Sequence, residues 1–167
     1  MSTMQPLHDE HQQLRQGIGE LRLTADAVGV VADAELADLL DDDVRFLAEQ
    51  LVPHAYAEEI ALYPVVEWLV APGATTTMRR DHMEISALTE ELQGLRRRLA
   101  GGEPGSWLAN DLRRVLYGAF ALVRVHFAKE EEVYLPLLEE GLTRADAAAM
   151  FAEMHAAAHG DLASHVG

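Results

Sequence analysis

The sequence predicts an all-α protein: an up-down-up-down four-helix bundle with a pseudo-twofold internal repeat and an extra C-terminal helix. Three observations point there. Five segments repeat apolar residues at steps of three and four, and none sustains the alternation of a strand. Ala, Leu, Glu, Asp and Arg dominate while aromatic residues make up 6%, a balance that favours helix over sheet. The second half of the chain also echoes the first at a set of polar positions.

The first segment runs from about Gln5 to about Val28, with Leu7, Leu14, Ile18 and Leu21 on one stripe. The second covers roughly Ala34 to Val70, where Leu36, Leu39, Leu40, Leu47, Leu51, Leu62 and Val65 supply the apolar face until Ala71-Pro72-Gly73 stops it. The third spans about Thr76 to Leu99 and ends at Gly101-Gly102. The fourth runs from near Ser106 to near Glu140 and is closed by Gly141. The last, from about Arg144 to Ala163, opens with Thr143 and Asp146 spaced as a capping box. Pro53, Pro64 and Pro136 fall inside the second and fourth segments. An internal proline removes a backbone hydrogen bond, so kinks in long helices, or breaks into shorter pieces, are expected there. Gly17 and Gly19 weaken the first helix by about 1 kcal/mol each relative to Ala. Close helix packing or access to an internal site would account for them.

The repeat is specific. His54, Glu58, Glu59, Pro64 and Glu67 recur as His126, Glu130, Glu131, Pro136 and Glu139, at a constant offset of 72 residues. Segments one and three match at an offset of 71, Glu10-His11 with Leu14 against Asp81-His82 with Ile85. The chain is a helical hairpin used twice, and two such hairpins packed antiparallel make a four-helix bundle.

At 167 residues, with 49% apolar and 25% charged residues, the chain suits one globular domain, residues 1–167. The bundle occupies about 5–140 and the extra helix about 143–163. There is no cysteine, which excludes disulfides, zinc–thiolate sites and thiol catalysis. The N-terminus lacks the layout of a signal peptide and no apolar run reaches membrane-spanning length, so a cytoplasmic location is expected. Acidic residues outnumber basic ones 28 to 13, for a formal charge of −15. A surface of that sign repels nucleic acid and anionic lipid, so neither is expected as a partner.

The chemistry lies on the inward stripes. On the fourth segment Ala119, Val123, His126, Glu130, Val133 and Leu137 step along one side. His54 and Glu58 lie likewise between Leu51 and Leu62. His11 shares the stripe of Leu7, Leu14 and Ile18, and His82 that of Met78, Ile85 and Leu92. One His-x-x-x-Glu is weak, because such a pair is most often a solvated contact or a core hydrogen bond. Two at repeat-related positions, with two further repeat-related histidines, are hard to explain that way. Carboxylates in an apolar core are costly unless charge is supplied. Four imidazoles and two carboxylates converging in a bundle make a ligand set for two metal ions.

The order His11, His54-x-x-x-Glu58, His82, His126-x-x-x-Glu130 resembles the hemerythrin-like HHE cation-binding domain. The likeness extends over about residues 5 to 140 and includes the Glu-Glu pairs 58–59 and 130–131 and the downstream prolines. It implies a non-haem di-iron centre, with His11 and His54 holding one iron and His82 and His126 the other. Glu58 and Glu130 would bridge them, with an oxo, hydroxo or water ligand between. Oxygen-carrying members place two histidines four apart on the third helix, whereas here the positions four away from His82 are Met78 and Ser86. The site is one histidine short, so both irons are expected to keep open or water-filled positions. That resembles bacterial members implicated in nitric-oxide, peroxide or iron-stress responses rather than the carriers.

Two functional expectations follow. The first is a redox-active di-iron protein handling dioxygen, nitric oxide or hydrogen peroxide, its redox partner unspecified. The second is a non-catalytic iron or oxygen sensor, store or carrier. A plain helical bundle with accidental histidines is the bland third. Other residues carry weaker signals. His8 could replace His11 or support it, though the repeat pairs His8 with Arg79 and so favours His11. His155 and His159 are spaced for a surface metal or a polar cap, and His165 reads as a frayed end. Glu59, Glu131 and Glu132 read as a solvated face or as hydrogen-bond partners of the ligands. Among Tyr56, Tyr63, Tyr117 and Tyr134, Tyr134 follows Glu130 by one turn and points to the core; for all four, packing with a bonded hydroxyl is favoured over metal binding. Asp41-Asp42-Asp43 reads as solvent-facing.

Overall fold

A computed structural model describes residues 2–102 and 106–160. Five helices account for them, and no strand is present among the described residues. Helix α1 is Gln5–Ala27, with Pro6 in its first turn, where its missing N–H costs nothing. Helix α2 covers 33–69 without a break. It runs from Asp33–Phe46 through a π-helical turn Leu47–Leu51, then Val52–Ala57, a second π-turn Glu58–Leu62, and Tyr63–Leu69. Helix α3 is Thr76–Ala100. Helix α4 covers 106–141 and carries one π-turn, Glu130–Tyr134. Helix α5, Arg144–Ala158, opens with the expected capping box, Thr143 and Asp146 each bonding the other's backbone N–H. The expected continuation of α5 to Ala163, and His165, lie outside the described residues.

The prolines neither break the helices nor simply kink them. Each follows a π-turn by one residue: Val52, Tyr63 and Leu135 donate five residues back, to the carbonyls of Leu47, Glu58 and Glu130, and Pro53, Pro64 and Pro136 come next. A wider turn makes room for the proline ring, which has no N–H to give. The Glu59 carbonyl, which Pro64 cannot serve, instead accepts from Arg79 Nη1.

Each π-turn also adds one residue to the helix, and this corrects the expected stripe. Val133 is exposed and Leu137 half-buried, while Leu135 and Leu138 are buried. In α2 the same shift buries Tyr63 and Val66 and leaves Val65 half-buried. Past Glu130 the inward step is five residues rather than four, and past Glu58 the residue five on, Tyr63, is buried along with Leu62.

The four long helices pack as a ring, α1 against α2 and α4, and α3 against α2 and α4, with α5 laid across residues 52–62 of α2. The core is in two parts. One cluster holds Leu14, Ile18, Leu40, Leu51, Ile85, Leu92, Leu116 and Val123. The other holds Leu7, Leu62, Tyr63, Val66, Met78, Leu135 and Met150. Between them lies a layer of buried polar residues. The outermost repeat pair ties helix ends together: Glu67 accepts from Thr75 at the start of α3, and Glu139 accepts from the backbone N–H of Thr3 and Met4 at the start of α1.

One further expectation changes, and another is met at one of its two positions. Asp43 is not solvent-facing but buried, accepting from Thr24, because α2 turns it towards α1. Gly17 has a packing reason, since a Cβ there would stand 2.3 Å from the Phe46 ring, whereas a Cβ on Gly19 would meet nothing within 4 Å.

Candidate metal centre

The six residues singled out from the sequence, His11, His54, Glu58, His82, His126 and Glu130, meet in the polar layer, and all six are buried. Their atoms fall into two groups that share both carboxylates: His11, His54, Glu58 and Glu130, and Glu58, His82, His126 and Glu130. Within each group the ligand atoms lie inside 4.8 Å of one another. No other such group occurs among the described residues.

The sharing is specific to individual oxygens. Glu58 Oε1 stands 3.1 Å from His54 Nε2 and 3.6 Å from His11 Nε2, while its Oε2 stands 3.4 Å from His82 Nε2. Glu130 Oε2 lies 3.5 Å from His11 Nε2, and its Oε1 lies 3.3 Å from His126 Nε2. Each carboxylate therefore turns one oxygen to each histidine pair.

All four imidazoles are aimed from behind. His11 Nδ1 meets Glu131 at 2.8 Å, His54 Nδ1 meets Glu10 at 3.0 Å, His82 Nδ1 meets Glu59 at 2.9 Å, and His126 Nδ1 meets Asp81 at 3.2 Å. Every partner sits on a neighbouring helix. The residue before each histidine of α1 and α3 holds the histidine of α2 or α4, and the residue after each inward glutamate holds the histidine of α3 or α1. A neutral imidazole that donates Nδ1–H presents its Nε2 lone pair, here inward. Glu59 and Glu131 thus act on the histidines rather than as a free solvated face. Glu10 and Asp81 escaped the sequence reading, although an acid before each repeated histidine was visible.

The electrostatics match. Burial opposes the charged form of His54, yet Glu58 and Glu10 outweigh it and hold its pKa well above the usual imidazole range. Burial likewise favours a neutral Glu58, but His54, His11 and His82 keep it ionised well below the ordinary carboxylate range. Without a metal the Glu58 charge is answered by a protonated His54; a metal cation would fill that role more completely and leave the imidazole neutral.

Four of the tempting residues now have places. His8 bonds to Glu131, behind His11 and away from the centre. Tyr134 does not reach the site, since its hydroxyl donates to the Ala74 carbonyl. His155 and His159 are exposed, and His159 Nδ1 bonds the His155 carbonyl at the end of α5. The tyrosine at the centre is Tyr63. Its hydroxyl donates to Glu130 Oε1 at 3.0 Å and lies 3.0 Å from His82 Nε2. It is five residues after Glu58, and an uninterrupted α-helix would have turned it away.

The residues fit a metal pair on their own chemistry. Five buried atoms, the Nε2 of His11 and His54, both oxygens of Glu58 and Oε2 of Glu130, have no hydrogen-bond partner, which a protein core does not ordinarily tolerate. The His82 and His126 Nε2 atoms stand 2.9 Å apart. Two nitrogens at about 2.1 Å from one ion, near a right angle, stand about 3 Å apart.

A family model, the hemerythrin HHE cation binding domain, matches residues 3–138 and again 73–167. The chain belongs to that family. The two overlapping matches begin about one repeat apart, as expected of a hemerythrin-type hairpin used twice. No curated protein and no solved structure matches the chain. Among the described residues no helix is long and apolar enough to cross a membrane.

Proposed function

We propose that this member of the hemerythrin HHE family is a cytoplasmic, non-haem di-iron protein that binds or reacts with dioxygen, nitric oxide or hydrogen peroxide. The observation that carries the reading is the division of each carboxylate, with one oxygen of Glu58 and one of Glu130 facing each histidine pair. His11 and His54 would hold one ion and His82 and His126 the other, with Glu58 and Glu130 spanning both.

Bound iron would supply electrons and open coordination positions for the small ligand. The chain supplies the surroundings. Glu131, Glu10, Glu59 and Asp81 fix the imidazole rings with Nε2 inward. Two apolar clusters, above and below, keep bulk water from the polar layer. Phe127 stacks on His11 at 4.2 Å between centroids and closes that side. Tyr63 holds a proton on its hydroxyl beside Glu130 and His82, since burial and the two glutamates push its pKa up. Met78 is packed in the core and Ser86 is half-buried, so neither supplies the second α3 imidazole of oxygen carriers.

The test is metal analysis of protein made with ample iron, followed by stopped-flow mixing of the reduced form with oxygen. Two irons per chain, prompt oxidation in air and consumption of peroxide or nitric oxide are expected. Iron near zero, or zinc or manganese in its place, overturns the di-iron reading. Two irons with an oxygen-dependent spectrum that reverses under vacuum would favour the sensor or carrier function instead.

A further inference from the structure

The internal repeat gives the bundle two equivalent outer faces, α1 with α4 and α3 with α2, and they are built differently. On the α1–α4 face Phe127 lies flat on His11 and within 5.8 Å of His54 between centroids. Outside it is a surface pocket of about 510 Å³, lined by Arg15, Arg124, Phe127 and Glu131 among others, and no imidazole reaches its wall. One repeat away, Ala55 stands in the place of Phe127, Ser86 in that of Arg15, and Val52 in that of Arg124. The α2–α3 face accordingly carries a groove of about 470 Å³, whose wall includes Val52, Ala55, Tyr56, Met83, Ser86 and His82 itself. The same place in the fold is plugged on one side and open on the other.

We infer that this groove is the route by which a small uncharged ligand reaches the centre, arriving at the His82–His126 pair, with Ala55 setting its width and Phe127 stopping the opposite face. The inference rests on the metal-centre reading above. Three features support it beyond the opening. The lining is mostly apolar, and Glu59 and Glu90, also on the groove wall, repel anions while leaving neutral molecules unaffected. The opposite pocket instead carries two arginines. The asymmetry also continues inside: Tyr63, with its hydroxyl 3.0 Å from His82 Nε2, has the apolar Leu135 as its repeat counterpart. A ligand entering by the groove arrives on the side that holds a proton donor.

The experiment compares wild type with Ala55→Phe, Ala87→Trp, Arg124→Trp and the double variant Ala55→Phe/Phe127→Ala. Iron content is measured on each sample, and the reduced protein is mixed with nitric oxide in a stopped-flow absorbance assay. Ala55→Phe narrows the groove, and Ala87→Trp covers its mouth from an exposed position that does not tax folding. Both should slow the absorbance change by about tenfold with unchanged amplitude. Arg124→Trp should match wild type, and Phe127→Ala should restore part of the rate lost in Ala55→Phe. Wild-type rates in both groove variants with iron retained, or slowing only in Arg124→Trp, would overturn the inference. Crystals pressurised with xenon give a reading independent of iron. Xenon beside Ala55 and Ser86 is expected, and xenon only beside Phe127 overturns the route. Iron near zero in every sample defeats the di-iron reading alone, and the xenon result still decides the route.

Discussion

The Tyr63 hydroxyl donates to Oε1 of Glu130 across 3.0 Å, joining the second π-turn of α2 to the one in α4. Tyr63→Phe leaves a buried carboxylate oxygen one donor short, at a cost of about 1–3 kcal/mol in metal-free protein. Denaturant unfolding should show that loss, and iron-loaded protein should show a smaller one, because a cation then serves Glu130. Equal losses in both forms would mean that the bond has nothing to do with the metal.

The two carboxylates between the histidine pairs and the four behind them should separate by severity. Glu58→Ala or Glu130→Ala removes an oxygen from both metal positions at once, and stoichiometric binding should be lost. Glu10→Ala, Glu59→Ala, Asp81→Ala and Glu131→Ala only free an imidazole to turn, which typically weakens affinity by about 10–100-fold. Metal content after dialysis against graded chelator measures both. Equal losses across the six variants would contradict the division of roles.

Asp43 makes a pH prediction independent of the centre. Burial, with Glu20 and Asp42 also opposing ionisation, pushes its carboxyl from 3.8 up to about 7, although Thr24 donates to it. The folded state thus holds a proton that the unfolded chain has released, and stability falls as pH rises from about 4 to 7. Asp43→Asn should therefore match wild type near pH 4 and exceed it above pH 7, by on the order of 3 kcal/mol. Thermal unfolding at the two pH values checks this, and a constant difference would reject it.

The neighbouring glycines of α1 should behave oppositely. Gly19→Ala meets open space and should stabilise by up to about 1 kcal/mol through helix propensity. Gly17→Ala drives a methyl into the Phe46 ring and should destabilise by about 1–3 kcal/mol. Phe46→Leu in the Gly17→Ala background should recover part of the loss. Chemical denaturation of the three variants settles the signs.

The ligand cluster was legible because its spacing is local. His54 with Glu58, and His126 with Glu130, lie one α-turn apart before any π-turn intervenes, and the repeat supplied the other two histidines. What was misread begins just downstream. Counting three and four from Glu130 puts Val133 and Tyr134 inward, but the extra residue of the π-turn makes the step five, which turns Leu135 inward and, in α2, Tyr63. Three prolines marked those places without stating that the backbone would widen rather than bend. Asp43 was hidden inside a run of three aspartates, where composition says solvent and only the packing of α2 on α1 says otherwise. Ala55 against Phe127 was on view in the repeat, but its meaning depends on which side chain covers which imidazole.

Each hairpin contributes two inward histidines and one carboxylate that faces both ways, so either half is chemically half of the centre. The chain is in effect a dimer written as one polypeptide. The connection at 70–75 adds no ligand; it raises the effective concentration of one hairpin around the other. Cutting it would turn assembly of the centre into an association between two fragments, and iron would then act as the glue. Rejoining the hairpins in the reverse order would preserve every ligand and every carboxylate behind it. What that permutation would displace is α5, which lies across residues 52–62 of α2 and adds a front and a back to a molecule already uneven at Phe127 and Ala55.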